Sequence, residues 1–112
     1  MKKDTITYAD FAKLDLRVGT IESVEAVPNS EKLLKLTVNL GEDYGTTEIL
    51  SGISQFYSIE ELTGKKCVFL ANLEPKPMAG LVSNGMLIAI DDAAKPILLE
   101  TDAKLADGSK LC

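Results

Sequence analysis

Leu34, Leu36, Val38 and Leu40 alternate with Lys35, Thr37 and Asn39, so every second side chain is apolar over seven consecutive residues. A period of two is the pattern of a strand with one face in a core and the other in water. In a helix the same residues would be spread around the axis. The longest unbroken apolar runs, Cys67–Ala71 and Met86–Ile90, have five residues each. That length suits buried strands and falls far short of the roughly 20 residues of a membrane-spanning helix. No segment is expected to cross a membrane.

The rest of the chain reads as short elements around this strand. Thr7 as N-cap ahead of Asp10, with Tyr8, Phe11 and Leu14 three residues apart, predicts a short helix over Thr7–Leu14. Leu16–Val27 mixes β-branched and charged residues and predicts a long strand, with a bulge or bend at Gly19. Pro28-Asn29-Ser30 breaks the chain before the alternating strand, and Gly41–Gly45 makes a hairpin-like link to a third strand, Thr46–Leu50, ending at Ser51-Gly52. Ser58 followed by Glu61 forms a capping box for a brief helix that Gly64 stops. Lys66–Ala71 and Met86–Ile90 follow as strands, separated by a 14-residue loop, Asn72–Gly85. Ile97–Glu100 is strand-like, and a polar turn at Asp107-Gly108 precedes Lys110–Cys112. With no strand–helix alternation, this order predicts a mainly all-β fold: a five-stranded OB-type β-barrel with short helices and a C-terminal strand extension, in a single domain over residues 1–112.

The chain has no histidine, which removes Ser-His-Asp, Cys-His and histidine–zinc chemistry. Cys67 and Cys112 have no CxxC spacing and read as reduced thiols of a cytoplasmic protein. The N-terminus turns acidic and polar where a signal peptide needs its apolar stretch. Glu60-Glu61 and Asp91-Asp92 are adjacent residues that point to different sides of a helix or strand, as solvated surface carboxylates do. Gly80–Gly85 is one residue too long for a GxSxG elbow, and nothing is present to activate Ser83. No catalytic residue, cofactor or metal is therefore expected. The net charge is −5, and the acidity lies in residues 41–112, where eleven acids face six bases. A polyanion partner would need a local patch.

One such patch is conceivable. From Pro77 to Ile90 there is no charged residue, although much of that stretch is predicted loop. It either folds over one end of the barrel as packing or lets small residues bring backbone close to a ligand, with Ser83 and Asn84 as polar contacts and Met86 as an adaptable apolar one. In OB-folds the loop between strands four and five is a usual nucleic-acid contact. Lys32, Lys35 and Lys76 would supply the charge if they meet in space; singly, each also reads as an ordinary solvated lysine. Arg17, beside Asp15, either forms a structural ion pair or contacts RNA.

Several blocks occur in a telling order: Phe11–Ile21, Pro28–Val38, Ser51-Gly52-Ile53, Gly64-Lys65-Lys66, Ala71-Asn72-Leu73-x-Pro75-Lys76 and Gly80-x-x-Ser83-x-Gly85-Met86. From about residue 7 to the C-terminus the chain resembles the tRNA-binding OB domain family. That family includes the C-terminal domain of methionyl-tRNA synthetase, stand-alone tRNA-binding proteins and the cytokine-like domain of eukaryotic synthetase complexes. The resemblance implies a five-stranded OB barrel, a homodimer formed partly through the C-terminal extension, and recognition of tRNA shape instead of anticodon sequence. It further implies Lys32 and Lys35 as backbone contacts and Asn72, Lys76, Ser83 and Met86 as the binding face. Arg17 and Ser51 match motif positions as further candidates with a structural alternative. Where some members carry Pro-Arg-Lys, this chain has Pro75-Lys76-Pro77. The expected function is a non-catalytic tRNA-binding module, with methionyl-tRNA synthetase as a partner served in trans. The alternative is a dimeric protein-interaction or chaperone-like adaptor with weak RNA affinity.

Overall fold

Two capping boxes start the helices at the residues the sequence indicates. In the computed structural model, which describes residues 1–112, α1 spans Tyr8–Ala12 and α2 spans Ile59–Leu62. The Thr7 hydroxyl accepts the Asp10 N–H, the Ser58 hydroxyl accepts the Glu61 N–H, and each acid accepts the N–H of its cap in return. These reciprocal bonds satisfy donors that a helix start leaves without partners. α1 ends before Leu14, so only Tyr8 and Phe11 share its expected face.

The strands are β1 (Leu16–Ala26), β2 (Leu34–Asn39), β3 (Thr46–Ser51), β4 (Lys66–Leu70), β5 (Lys76–Met78), β6 (Leu81–Ser83), β7 (Met86–Leu87), β8 (Ala89–Asp92) and β9 (Lys95–Leu98). One antiparallel sheet runs β3-β2-β1-β4-β7. β1 is long because two neighbours divide it: residues 16–20 pair with β4 and residues 20–26 with β2. Its bulge falls between Ile21 and Ser23, not at Gly19. Gly19 has another reason to be small, since a Cβ there would come within 2.8 Å of Leu40 and 2.9 Å of Val38.

β2 alternates as predicted, with Leu34, Leu36 and Val38 buried and Lys35, Thr37 and Asn39 outward. The core gathers Ile21, Leu36, Leu40, Ile49, Leu62 and Phe69, all fully buried. Each such side chain contributes about 1.5–3 kcal/mol by leaving water. β3 lacks a full ladder to β7, and the barrel is instead nearly closed by two bonds: Asn84 N–H to the Glu48 carbonyl (2.9 Å) and Leu50 N–H to the Ser83 hydroxyl (2.9 Å). The result is a nearly closed five-stranded antiparallel barrel of the OB type.

Three expectations are corrected. The segment Asn72–Gly85 is not all loop, because β5 and β6 pair as a hairpin within it. Met86–Ile90 is two strands: β7 belongs to the barrel, and after Ile88 the chain leaves as β8 to pair with β9. The strand expected at Ile97–Glu100 sits at Lys95–Leu98 for the same reason, while Glu100 bridges Cys67 on β4. The C-terminal segment lies along β1, where β2 does not reach: Val18 N–H donates to the Ser109 carbonyl and Leu111 N–H to the Leu16 carbonyl. No helix is long and apolar enough to cross a membrane.

Candidate functional site

The β5–β6 hairpin turns through Ala79 and Gly80, both at positive φ (50° and 83°), as a two-residue hairpin turn of the primed type requires. Its register sets Lys76 opposite Ser83. Lys76 is exposed and makes no ion pair. Between the hairpin, the end of β3 and β7 lies a cleft of about 260 Å³. Ser51, Leu73, Met78 and Met86 line it, with Lys76 and Glu74 also on its wall. Met86 is 45% exposed there, a large flexible apolar side chain open to solvent. Four of the expected site residues, Ser51, Lys76, Ser83 and Met86, thus surround one cleft. Lys32 lies outside the cleft lining, two residues before Leu34, which pairs with Ser51; its carbonyl accepts the Ser54 N–H, and the residue is exposed and makes no ion pair.

The remaining candidates occupy other environments. Lys35 lies across the sheet between Glu48 (3.3 Å) and Glu25 (3.7 Å). The hydrogen bond to Glu48, aided by both carboxylate charges, holds its ammonium above the usual lysine range. Its charge is therefore locally matched, in contrast to the free phosphate contact expected. Ser83 is 4% exposed, and its hydroxyl accepts from Leu50 N–H while donating to the Gly85 carbonyl (3.1 Å). The single hydroxyl proton is used inside the barrel, on the Gly85 carbonyl. Asn72 accepts from Asp15 N–H (2.9 Å) and donates to the Lys13 carbonyl (2.7 Å), joining the start of the long loop to the start of β1.

Arg17 has the surroundings of a structural ion pair. It is 7% exposed, bonds Asp15 through two nitrogens (2.6 and 3.1 Å), reaches Asp43 (3.0 Å) and the Gly108 carbonyl (3.1 Å), and lies under the Tyr44 ring. The Arg17 guanidinium holds the Asp15 carboxyl below the ordinary aspartate range. Cys67 and Cys112 are free thiols, and burial pushes Cys67 up to about 11. Leu73 and Met78 are cleft residues that the sequence reading did not single out, although both fall in or beside the blocks it quoted. Their signal was an apolar side chain in a segment otherwise rich in turn residues.

The chain's likeness to other proteins agrees with this geometry. Residues 16–110 match the model of a family described as a putative tRNA binding domain. The chain is 45% identical over 108 residues to a methionine–tRNA ligase of Methanococcoides burtonii, covering 96% of this chain and 16% of that protein. It is 44% identical over 106 residues to the Nanoarchaeum equitans methionine–tRNA ligase, covering 95% of this chain and 13% of that one. The chain thus spans only a small part of the ligases it matches. Among solved structures, a MetRS-related protein from Pyrococcus horikoshii superposes with a TM-score of 0.91 at 31% identity, over 98% of this chain and all of that one. The chaperone CsaA of Bacillus anthracis superposes with a TM-score of 0.85 at 28% identity, over 97% of this chain and all of that one.

Proposed function

Because this chain belongs to the putative tRNA binding domain family, we propose that it is a non-catalytic module that grips tRNA by shape through the face built on the β5–β6 hairpin. One observation carries the reading. On an acidic molecule, Lys76 is an unpaired cation on the wall of a cleft that Met86 also lines, and Lys32 is a second unpaired cation two residues before Leu34, the β2 partner of the cleft residue Ser51. The lysines take backbone phosphates, and Met86 packs against a sugar or base face. Lys35 contributes little, since its charge is already met by Glu25 and Glu48. The module works in the cytoplasm, in trans to methionyl-tRNA synthetase, and the chemistry belongs to that partner.

Two unpaired lysines hold a polyanion weakly, and a homodimer doubles them. Sedimentation at micromolar concentration is expected to give a dimer, and a 12.1 kDa species with tRNA binding intact would overturn this part.

Filter binding of unfractionated tRNA over a salt series tests the main reading. Two lysines in each of two protomers give an expected slope of about −3 to −4 in log K against log salt. Similar affinity for tRNAs of different anticodon is expected. Absence of binding at low salt would overturn the tRNA reading in favour of a protein-interaction adaptor, as the likeness to the chaperone CsaA suggests.

A further inference from the structure

The segment from Ala71 to Gly85 leaves the barrel at the end of β4 and rejoins it at β7, and side chains grip it at both ends. At the exit, Asn72 bridges the Lys13 carbonyl and the Asp15 N–H, while Ala71 N–H donates to the Asp15 carbonyl (2.8 Å). At the return, the buried Ser83 hydroxyl stands in for a strand carbonyl toward Leu50 N–H and ties back to Gly85. Ser83 is also the cross-strand partner of Lys76. Whatever fixes Ser83 against β3 therefore fixes the backbone that carries Lys76, since β5 pairs with no strand but β6.

We infer that Ser83 and Asn72 are positioning residues, which hold the hairpin in its binding conformation and act on tRNA through Lys76 without touching the RNA themselves. This rests on the tRNA reading of the hairpin face. The physical reason is preorganisation. A three-residue hairpin alone is marginal in water, and without its clamps it would be ordered only on binding, at the expense of affinity.

Salt dependence separates this role from direct contact. A neutral hydroxyl or amide that touches phosphate releases no counterion, so its loss weakens binding equally at all salt concentrations. Loss of a clamp that misplaces Lys76 removes an ionic contact and flattens the slope. Ser83→Ala, Asn72→Ala and Lys76→Ala are compared by tRNA filter binding over a salt series, with thermal melts alongside. Ser83→Ala and Asn72→Ala are each expected to weaken low-salt binding about threefold to tenfold and to shift the slope toward that of Lys76→Ala. Asn72 is exposed, so its variant decides the matter if Ser83→Ala does not fold. Weakened binding with an unchanged slope would overturn the inference in favour of direct contact. Wild-type binding with a lowered melting temperature would overturn it in favour of a purely structural role. If Lys76→Ala binds tRNA as the wild type does, the hairpin-face reading itself falls.

Discussion

The molecule carries two short hairpins that differ in how they are tied down and what charge they bear. β5–β6 returns to the barrel wall through a buried serine, and from Pro77 to Ile90 the chain has no charged residue. β8–β9 leaves the barrel just after β7 and is held from the side: the Tyr57 hydroxyl donates to the Pro96 carbonyl (2.8 Å), and the Lys95 ammonium sits 5.0 Å from the Tyr57 ring centre. It exposes Asp91 and Asp92. The same local motif thus serves opposite ends under the proposed function, which has a polyanion accepted beside the first hairpin and repelled by the second. What differs is not the turn but the tether and the charge.

The largest way to break the contrast is Gly85→Ala. Gly85 has φ of 143°, and a Cβ there would lie 2.9 Å from the Leu70 carbonyl oxygen and 3.1 Å from Ile49. Strain and overpacking together are expected to cost about 3 kcal/mol, lowering the melting temperature by roughly 10 °C or more, as circular dichroism would record. A wild-type melt would mean that the return of the first hairpin is not rigid.

A smaller effect probes where the second hairpin comes home, because Glu100 bridges Cys67. Burial raises the Cys67 thiol from 9.0 to about 11, so the folded state keeps a proton that the unfolded state loses first. Stability is therefore whole below about pH 9, falls as pH rises toward about 11, and loses at most about 3 kcal/mol by this route, roughly half of it by pH 10. Urea titrations at pH 8 and above pH 10 should give a larger alkaline loss for the wild type than for Cys67→Ala. Equal losses would mean that the thiol is open to water.

Tyr57→Phe removes one hydrogen bond and keeps the ring under Lys95. A cost of about 1 kcal/mol is expected, with faster amide exchange confined to residues 89–98 and tRNA affinity unchanged. Spread of that exchange to β5–β6 would show the two hairpins to be coupled. The smallest effect is electrostatic: neutralising Asp91 and Asp92 together as asparagines should raise tRNA affinity about twofold at low salt and not at all at high salt. A gain that persists in high salt would place the second hairpin in direct contact with RNA.

Much of the fold was legible. Thr7 with Asp10 and Ser58 with Glu61 announce their helices because a capping box is complete within four residues. The alternation of Leu34–Leu40 announces β2 for the same local reason. The long loop was legible only as something unusual, uncharged and apolar; its hairpin was hidden because Lys76-Pro77-Met78 and Leu81-Val82-Ser83 are three-residue strands, too short to establish a period. Met86–Ile90 was misread as one strand because an apolar run does not reveal where the chain changes neighbours.

The same division runs through the candidate site. By itself the sequence determined which segment is neutral, where lysines are available and that histidine chemistry is absent, since these are properties of composition along the chain. Tertiary structure alone decided which of the available polar groups are free. Lys35 meets Glu25 and Glu48 only because β1 and β3 flank β2. Ser83 meets Leu50 33 residues away only because the barrel closes there, and Asn72 meets Asp15 57 residues away only because β4 pairs with β1. A strand's period tells which way a side chain points from its own backbone. Whether it then meets a partner or water depends on elements distant in the chain, and for Ser83 and Asn72 that partner is the protein itself.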